Sequence, residues 1–164
     1  MEFKEGQKHA SKNADILDSH EALKDAGYIL EETDLVIDID NLPKETIKSM
    51  IDTFGIKTQI VWGNRGCHLY FLKSKNWKGK KDGLTALGFT AEYLTSKNRP
   101  NGVTIKQNGV LREIENEGVR EPLPECLEPV KADPLFGLSE GDGRDSKLYA
   151  HKFKVNKFVT CKKS

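Results

Sequence analysis

The chain is poor in the features that mark membrane, secreted and disulfide-bonded proteins. In 164 residues it has three cysteines, Cys67, Cys126 and Cys161, which lie far apart and without Cys-x-x-Cys spacing. They predict neither a disulfide framework nor a zinc site, and indicate free thiols. No apolar run approaches the length that crosses a bilayer, and residues 1–5 lead into polar sequence without a signal-peptide core. We therefore expect a cytoplasmic protein with no membrane partner.

An excess of charge of one sign is also missing. Lysine and arginine number 26 against 25 aspartates and glutamates, so the formal net charge is +1 and does not by itself indicate a nucleic-acid binder. No Gly-x-x-x-x-Gly-Lys-[Ser/Thr] stretch is present, which excludes a recognisable P-loop ATPase within these residues. The length and the 37% of hydrophobic residues predict one domain with a real core and room for an appendage.

Two aspartates close the clearest strand signal of the chain. An apolar run is followed by Asp38-Ile39-Asp40, which predicts a buried strand that begins to alternate where it meets solvent. Side chains two apart on a strand share a face, so both carboxylates project the same way, with Cα atoms roughly 6 to 7 Å apart. Carboxylates so close favour a cation between them, and hard divalent metals suit the site. Capping of the helix that starts near Pro43 is the structural alternative.

A helix and a β-hairpin follow the two aspartates. The apolar positions of 43–54 fall at helical spacing, with a proline in the first turn and a glycine after the last residue. Two strand-like runs, 58–62 and 67–72, are joined by the four-residue turn 63–66, whose two glycines can take positive φ. On the second strand His68 is the polar residue nearest the turn on its face. A lone strand histidine is more often a packing residue.

Strand, helix and hairpin together resemble the catalytic core of the archaeo-eukaryotic primase superfamily, in particular the primase-polymerase domains of phage and mobile-element replication proteins. In that family an apolar strand ends in Asp-x-Asp, which Asp38 and Asp40 match. A later strand carries a small residue, any residue and histidine, which Gly66, Cys67 and His68 match, with glycine where serine is commoner. The resemblance covers roughly residues 10 to 120.

A third family motif is a single acid on a later strand. Glu92 in the strand-like segment 89–93 is the best match, ahead of Asp82 in a glycine-flanked loop and Glu113 on a later hairpin. The resemblance implies that the catalytic residues are Asp38, Asp40, His68 and Glu92. The three acids would hold Mg²⁺ or Mn²⁺, the hard cations that carboxylate oxygens prefer.

The implied reaction is template-directed nucleotidyl transfer by a DNA primase or polymerase. Its partners would be nucleoside triphosphates, a single-stranded DNA template and a replicative helicase. Paired metals activate the attacking 3′ hydroxyl and neutralise the leaving pyrophosphate in such an in-line phosphoryl transfer. His68 would bind phosphate, because an imidazole beside a polyanion is favoured in its charged form.

A second hairpin extends the resemblance. Residues 102–107 and 110–114 flank Asn108-Gly109, the strongest two-residue turn signal. On this hairpin Lys106 is a candidate nucleotide-binding residue, as is Arg65 in the first turn. A solvated lysine on a strand edge is the alternative for Lys106.

Basic residues cluster around a tryptophan before the third-motif strand. This mixture of phosphate-seeking cations and a ring able to stack on a base predicts contact with the DNA template. A solvated, flexible loop is the alternative. The residues are Lys73, Lys75, Trp77, Lys78, Lys80 and Lys81.

The ends of the chain differ in composition from its middle. Residues 1–12 are expected to be disordered, and 13–121 to form the catalytic core, beginning with a helix over 13–26. Four prolines predict an extended connector over 122–140. Residues 141–164 contain Gly-Arg-Asp, which resembles the Gly-Arg-Asn-like turn that opens the helical region after primase-polymerase cores. They are expected to start such a region in a short protein or in a fragment of a longer one.

The predicted architecture is α/β in the α+β sense. It is a mixed, largely antiparallel sheet of the RNA-recognition-like type with packed helices and a short helical tail. Two other functions remain open: a catalytically inactive primase-like module that binds nucleic acid or a replication partner, and a phosphatase of the haloacid dehalogenase type. The phosphatase needs threonine or valine two residues after the second aspartate, where Leu42 stands. Metal-dependent nucleotide binding separates the catalytic protein from the binding module.

Overall fold

A computed structural model describes residues 1–2, 19–40, 42–77 and 81–130. Within these ranges the chain forms ten strands, one α-helix and one 3₁₀ helix. The strands are β1 Ala26–Tyr28, β2 Asp34–Asp40, β3 Gln59–Trp62, β4 Gly66–Leu72, β5 Asp82–Leu84, β6 Thr90–Leu94, β7 Val103–Gln107, β8 Val110–Leu111, β9 Ile114–Glu115 and β10 Glu121–Pro122. Helix α1 is Lys44–Phe54, and the 3₁₀ helix is Glu125–Leu127. No helix in the described ranges is long and apolar enough to span a bilayer.

Two sheets organise the strands, and the class is α+β as predicted. The main sheet has the order β5-β6-β2-β4-β3-β9, with β10 added beside β4, and the small sheet has the order β1-β7-β8. All pairings are antiparallel except that of β10 with β4. The strand with the two aspartates, β2, therefore lies in the interior of the main sheet between β6 and β4.

The first face of the main sheet packs against α1. Because side chains alternate along a strand, one set of β2 residues points to this face, and Ile37 and Ile39 are fully buried there. Ile47 and Ile51 of α1 belong to the same buried cluster, as do Cys126 and Leu127 of the 3₁₀ helix. This face, which we call the helix face, holds the larger core.

The second face of the main sheet is apolar at one end and polar at the other. Val36, Tyr70 and Leu94 are buried together with Val103 of β7, and Tyr28 of β1 packs against them. The small sheet thus covers this end. Further along the same strands the residues are acidic or histidine, and we call this side of the sheet the site face.

Helix α1 begins and ends as its sequence predicts. Pro43 is the residue before the first turn, and Gly55 adopts a left-handed conformation at φ 62°. Its N–H bonds the carbonyl of Asp52, and the N–H of Ile56 bonds that of Ile51. These bonds satisfy carbonyls that the end of a helix leaves unpaired.

The predicted helix over 13–26 is wrong in the part that the structure describes. Residues 19–25 form turns and bends, and Ala26–Tyr28 pairs with β7 as a strand. The Asp25 carboxylate accepts a hydrogen bond from the backbone N–H of Asn108, which ties this segment to the second hairpin. Tertiary pairing here outweighs a sparse helical pattern. Residues 13–18 lie outside the described residues.

The predicted disorder of 1–12 also fails at its first two residues. The Met1 ammonium group donates to the carbonyl of Gly27 at 2.9 Å, and Glu2 bridges Ala26. These contacts place residues 1 and 2 alongside β1, at the edge of the small sheet. Residues 3–12 lie outside the described residues.

The start of the proline-rich stretch is extended, as predicted, but it is packed. Pro122 lies on β10 beside β4, and Pro129 bridges Thr85. Between them Cys126 and Leu127 are fully buried. Residues 122–130 are therefore part of the core, because their apolar side chains close the helix face. The rest of the predicted connector and the predicted helical region, 131–164, lie outside the described residues.

Two of the three cysteines confirm the expectation of free thiols. Cys67 and Cys126 are buried and form no disulfide. Burial, followed by the nearby charge of Asp38, raises the pKa of the Cys67 thiol to about 12. The thiol is therefore in its unreactive protonated form at neutral pH. Cys161 lies outside the described residues.

Candidate active site

Three of the predicted catalytic residues lie in one row across adjacent strands. In the register of the main sheet, Asp38 of β2 is paired with His68 of β4 on one side and with Glu92 of β6 on the other. Directly opposed residues share a face, with Cβ atoms roughly 4.5 to 5.5 Å apart. The sheet therefore brings together side chains that are 24 to 54 residues apart in sequence, and it places them all on the site face.

Asp38 and His68 touch within this row. The Nε2 atom of His68 lies 3.3 Å from Oδ1 of Asp38, and both side chains are mostly buried. The other ring nitrogen, Nδ1, is buried and makes no hydrogen bond with the described residues. The imidazole is thus oriented by the carboxylate and by its strand.

Asp40 lies next to the row, at the end of β2. Its register partner is Gly66, the first residue of β4. A Cβ atom at Gly66 would lie 1.7 Å from the carbonyl oxygen of Ile39, so a side chain there requires the two strands to separate. This close approach explains the glycine at the position where serine is commoner in the family that the sequence resembles.

A cavity of about 420 Å³ opens in front of these residues. Its walls include Asp38, Asp40, His68 and Glu92 on the main sheet, and Val103, Thr104 and Gln107 on β7. Three arginines, Arg65, Arg99 and Arg112, complete the wall. The cavity therefore combines carboxylates for a cation with guanidinium groups for an anion, and both are needed to bind a metal-bound phosphate ester.

Like Arg99, Arg112 is a candidate site residue that no motif of the sequence indicates. It lies between β8 and β9, where the chain crosses from the small sheet to the main sheet. Burial lowers the pKa of its guanidinium, whereas the charges of Asp38 and Asp40 raise it. Within the described ranges the guanidinium makes no hydrogen bond or ion pair. A half-buried guanidinium beside two carboxylates, with N–H groups that no described side chain accepts from, can donate to a phosphate ligand.

Glu92 lies in the row, on the strand beside β2, as the sequence predicts. Its pKa is raised, first by burial and then by the charges of Asp38 and Asp82. Asp82 lies on the edge strand β5 in register with Glu92, and not in a loop. The other candidate, Glu113, is outside the row, since its carboxylate pairs with Lys44 at 3.0 Å.

The carboxylates are suitable ligands for a divalent ion, but they do not surround a metal position by themselves. Among the described residues no three histidine, cysteine, aspartate or glutamate side chains are close enough to surround a metal. Mg²⁺ typically keeps several waters and is bound by one or two carboxylates together with substrate phosphates. Asp38, Asp40 and Glu92 provide hard oxygen ligands of that kind, facing an open cavity.

The chain matches no protein-family model, no curated protein and no solved structure. The geometry of the site therefore carries the functional inference.

Lys106 does not line the cavity, although its neighbour Gln107 does. Its ammonium group donates to the carbonyl oxygens of His20 and Glu21, at 3.2 and 3.3 Å. These contacts hold the N-terminal segment against the second hairpin. The structure therefore does not bring Lys106 to the cavity, whereas Arg65 and Arg112 line it.

The tryptophan of the lysine-rich connection lies on the wrong side of the sheet for the template contact predicted for it. The Trp77 ring packs 5.4 Å from the Tyr93 ring, centroid to centroid, and against the helix-face core. Tyr93 follows Glu92 on β6 and points to the opposite face. The Trp77 ring is therefore not placed to stack on a template base at the cavity. Lys73, Lys75 and Lys81 do not line the cavity; Lys78 and Lys80 lie outside the described residues.

Proposed function

We propose that this chain is the catalytic core of a DNA primase or polymerase that transfers nucleotides from nucleoside triphosphates in a metal-dependent, template-directed reaction. The observation that carries the proposal is the row of Glu92, Asp38 and His68, with Asp40 beside it, at the wall of a cavity that also holds three arginines. The metal is Mg²⁺ or Mn²⁺. Single-stranded DNA is the template, and a replicative helicase is a partner consistent with this role.

In this proposal the cavity receives the triphosphate. Arg112 and Arg65 donate hydrogen bonds to phosphate oxygens, because guanidinium groups match phosphate geometry with two parallel N–H bonds. His68 Nε2 contacts the Asp38 carboxylate in the structure. When the triphosphate binds, Nε2 leaves that carboxylate and contacts a phosphate oxygen. A ring N–H at this position donates the bond.

The acids supply the other half of the site. Asp38, Asp40 and Glu92 would hold the ions, and the ions supply activation of the 3′ hydroxyl and neutralisation of the pyrophosphate. Before any ion binds, burial raises the pKa of Glu92, and the charges of Asp38 and Asp82 raise it further. The carboxylates thus repel one another, and a bound divalent cation would offset that repulsion.

A binding-only module is the second candidate, and one observation favours it. No described set of three side chains surrounds a metal by itself, so the same sheet could bind nucleic acid without catalysis. The two candidates differ in one respect that can be measured. The catalytic core binds nucleoside triphosphate more tightly with Mn²⁺ than without it, whereas the binding module shows no such dependence.

A template-dependent incorporation assay tests the proposal. The protein is incubated with labelled ribo- or deoxyribonucleotides, a single-stranded template and either Mg²⁺ or Mn²⁺. The proposal predicts products whose composition follows the template and that disappear with chelator. Omitting the template while supplying a phosphate ester tests the haloacid dehalogenase alternative, which releases phosphate under those conditions. Absence of incorporation with both ions and both sugars contradicts the proposal.

A further inference from the structure

A second groove of about 500 Å³ adjoins the cavity. The two share Gly63, Asn64, Gln107 and Arg112, so a ligand in the groove continues into the cavity. The far side of the groove is formed by α1 and by the tip of the second hairpin. No part of the nucleotide site described above uses this tip.

The hairpin tip carries exposed apolar side chains. Val110 is 69% exposed and Leu111 is 42% exposed, and both line the groove. Asn108 and Gly109 adopt positive φ at the turn, at 53° and 78°, as a two-residue hairpin turn requires. Exposed aliphatic side chains beside a polar channel offer apolar surface that a base can cover, which removes that surface from water.

Cations and amides complete the groove. The Lys44 ammonium lies 4.8 Å above the Trp62 ring and 3.0 Å from the Glu113 carboxylate. That ion pair is exposed on both sides, so it is weak and its ammonium can exchange to a phosphate oxygen. Asn64 and Gln107 add side-chain amides at the boundary with the cavity. The lining thus offers phosphate contacts, hydrogen bonds and apolar surface within one continuous channel.

We propose that this groove binds single-stranded DNA and leads it into the cavity, with Val110 and Leu111 packing against bases and Lys44 contacting a phosphate. The inference rests on the proposed function, and it names the template path. That path replaces the one predicted along residues 73–81. The groove is favoured as the template path because it is continuous with the acid-lined cavity. The lysine-rich connection is disfavoured because its Trp77 ring packs on the helix face.

The test is DNA binding by fluorescence anisotropy with a labelled 15-nucleotide single strand, in chelator and without nucleotide. Replacing both apolar residues, Val110→Ser with Leu111→Ser, should raise Kd about five- to tenfold, because the variant loses the apolar surface that packing against bases removes from water. Lys44→Gln should reduce the slope of log Kd against log salt by about 0.7, the value for one phosphate contact on a single strand. Glu113→Gln should tighten binding, since it removes the groove's negative charge.

The matched control is Lys73→Ala with Lys75→Ala, which removes two cations outside the groove. The proposal predicts little change in Kd for this variant. It is overturned if the control loses affinity while the Val110 and Leu111 variant keeps it, or if the groove variants bind DNA as the unaltered protein does. Circular dichroism melting of each variant separates a lost contact from a lost fold.

Failure of the groove proposal is distinguishable from failure of the proposed function. Asp38→Asn should bind the DNA strand at least as tightly as the unaltered protein, since it removes a negative charge from the cavity, yet it should incorporate no nucleotide. If groove variants lose DNA binding while the unaltered protein never incorporates nucleotide, the groove stands and the polymerase assignment falls. If incorporation is template-dependent but insensitive to Val110, Leu111 and Lys44, the groove assignment falls alone.

Discussion

The two faces of the main sheet are formed by the same strands, but one is covered by an apolar core and the other lines the cavity. On β2, Ile37 is fully buried against the helix-face core, and the next residue, Asp38, lies on the site face. On β6 the same contrast holds between Tyr93 and Glu92, and on β4 between Leu69 and His68. Strand alternation therefore places the helix-face core residues and the residues that line the candidate site on opposite faces of the same strands. Substitutions on the two faces should have different consequences.

The largest effect is expected from the aspartates on the site face. Asp38→Asn and Asp40→Asn keep the shape of the side chain but remove the charge that a divalent ion requires, so each should reduce incorporation to background. Thermal stability in metal-free buffer should stay level or rise, because repulsion between carboxylates is relieved. The measurement is template-dependent incorporation together with a melting curve. Activity retained in both variants would remove the basis for a metal site.

On the helix face the expected effect is on stability alone. Ile37→Ala removes a fully buried side chain, and it should lower the free energy of unfolding by about 2 to 5 kcal/mol. Incorporation per folded molecule, measured well below the melting temperature, should be unchanged. Urea denaturation gives the first quantity. Loss of activity in a fully folded variant would show that the two faces are not separable.

His68 should affect nucleotide binding more than the fold. His68→Ala removes a charge-assisted hydrogen bond to the triphosphate, so nucleotide affinity should fall roughly ten- to a hundredfold, which corresponds to about 1.5 to 3 kcal/mol. Binding of Mn²⁺ to the protein without nucleotide should be largely retained. Calorimetry measures both. An unchanged nucleotide affinity combined with a lower melting temperature would assign His68 to packing.

The smallest effect is the pH dependence of stability at Glu92. Because the pKa of Glu92 is raised in the folded state, its ionised form is less favourable there than in the unfolded chain. At a pH below the ordinary carboxyl pKa the group is protonated in both states and costs nothing. As pH rises through the folded pKa the cost appears. Glu92→Gln should therefore stabilise the metal-free protein more at pH 7 than at pH 4.

Two companion variants sharpen the Glu92 prediction. Glu92→Gln should also be inactive, whereas Asp82→Asn and Glu113→Gln should remain active. Asp82 is the stricter control, because it lies in register with Glu92 and contributes to its raised pKa. A stabilisation by Glu92→Gln that is equal at both pH values would contradict the electrostatic explanation.

Local patterns in the sequence predict much of the main sheet correctly. The apolar run before Asp38 predicts β2, the spacing between Pro43 and Gly55 predicts α1, and a glycine-containing turn predicts the hairpin of β3 and β4. The Asn-Gly turn predicts the hairpin of β7 and β8 in the small sheet, but its second arm is Val110–Leu111 and not 110–114. These signals depend on a few adjacent residues, so one sequence contains all the information that they need. The face assignment of Asp38 and His68 follows from alternation alone.

Features that depend on distant contacts were not predictable in this way. β1 is a strand because it pairs with β7, about 80 residues later, and nothing within 19–28 indicates that pairing. Arg112 becomes part of the site only because the link between β8 and β9 passes the turn at 63–66, where its guanidinium would be 3.4 Å from a Cβ atom on Gly63. The lysines around Trp77 indicate an accessible ring, but the ring packs on Tyr93 on the helix face.

The most direct test of the site is a crystal structure with Mn²⁺ and a non-hydrolysable nucleoside triphosphate, using anomalous scattering to locate the metal. We predict a Mn²⁺ ion between β2 and β6, with oxygens of Asp38 and Glu92 within about 2.0 to 2.6 Å, and triphosphate oxygens next to Arg112 and His68. A nucleotide bound elsewhere, or a metal that leaves Glu92 out of its shell, would contradict the site as assigned.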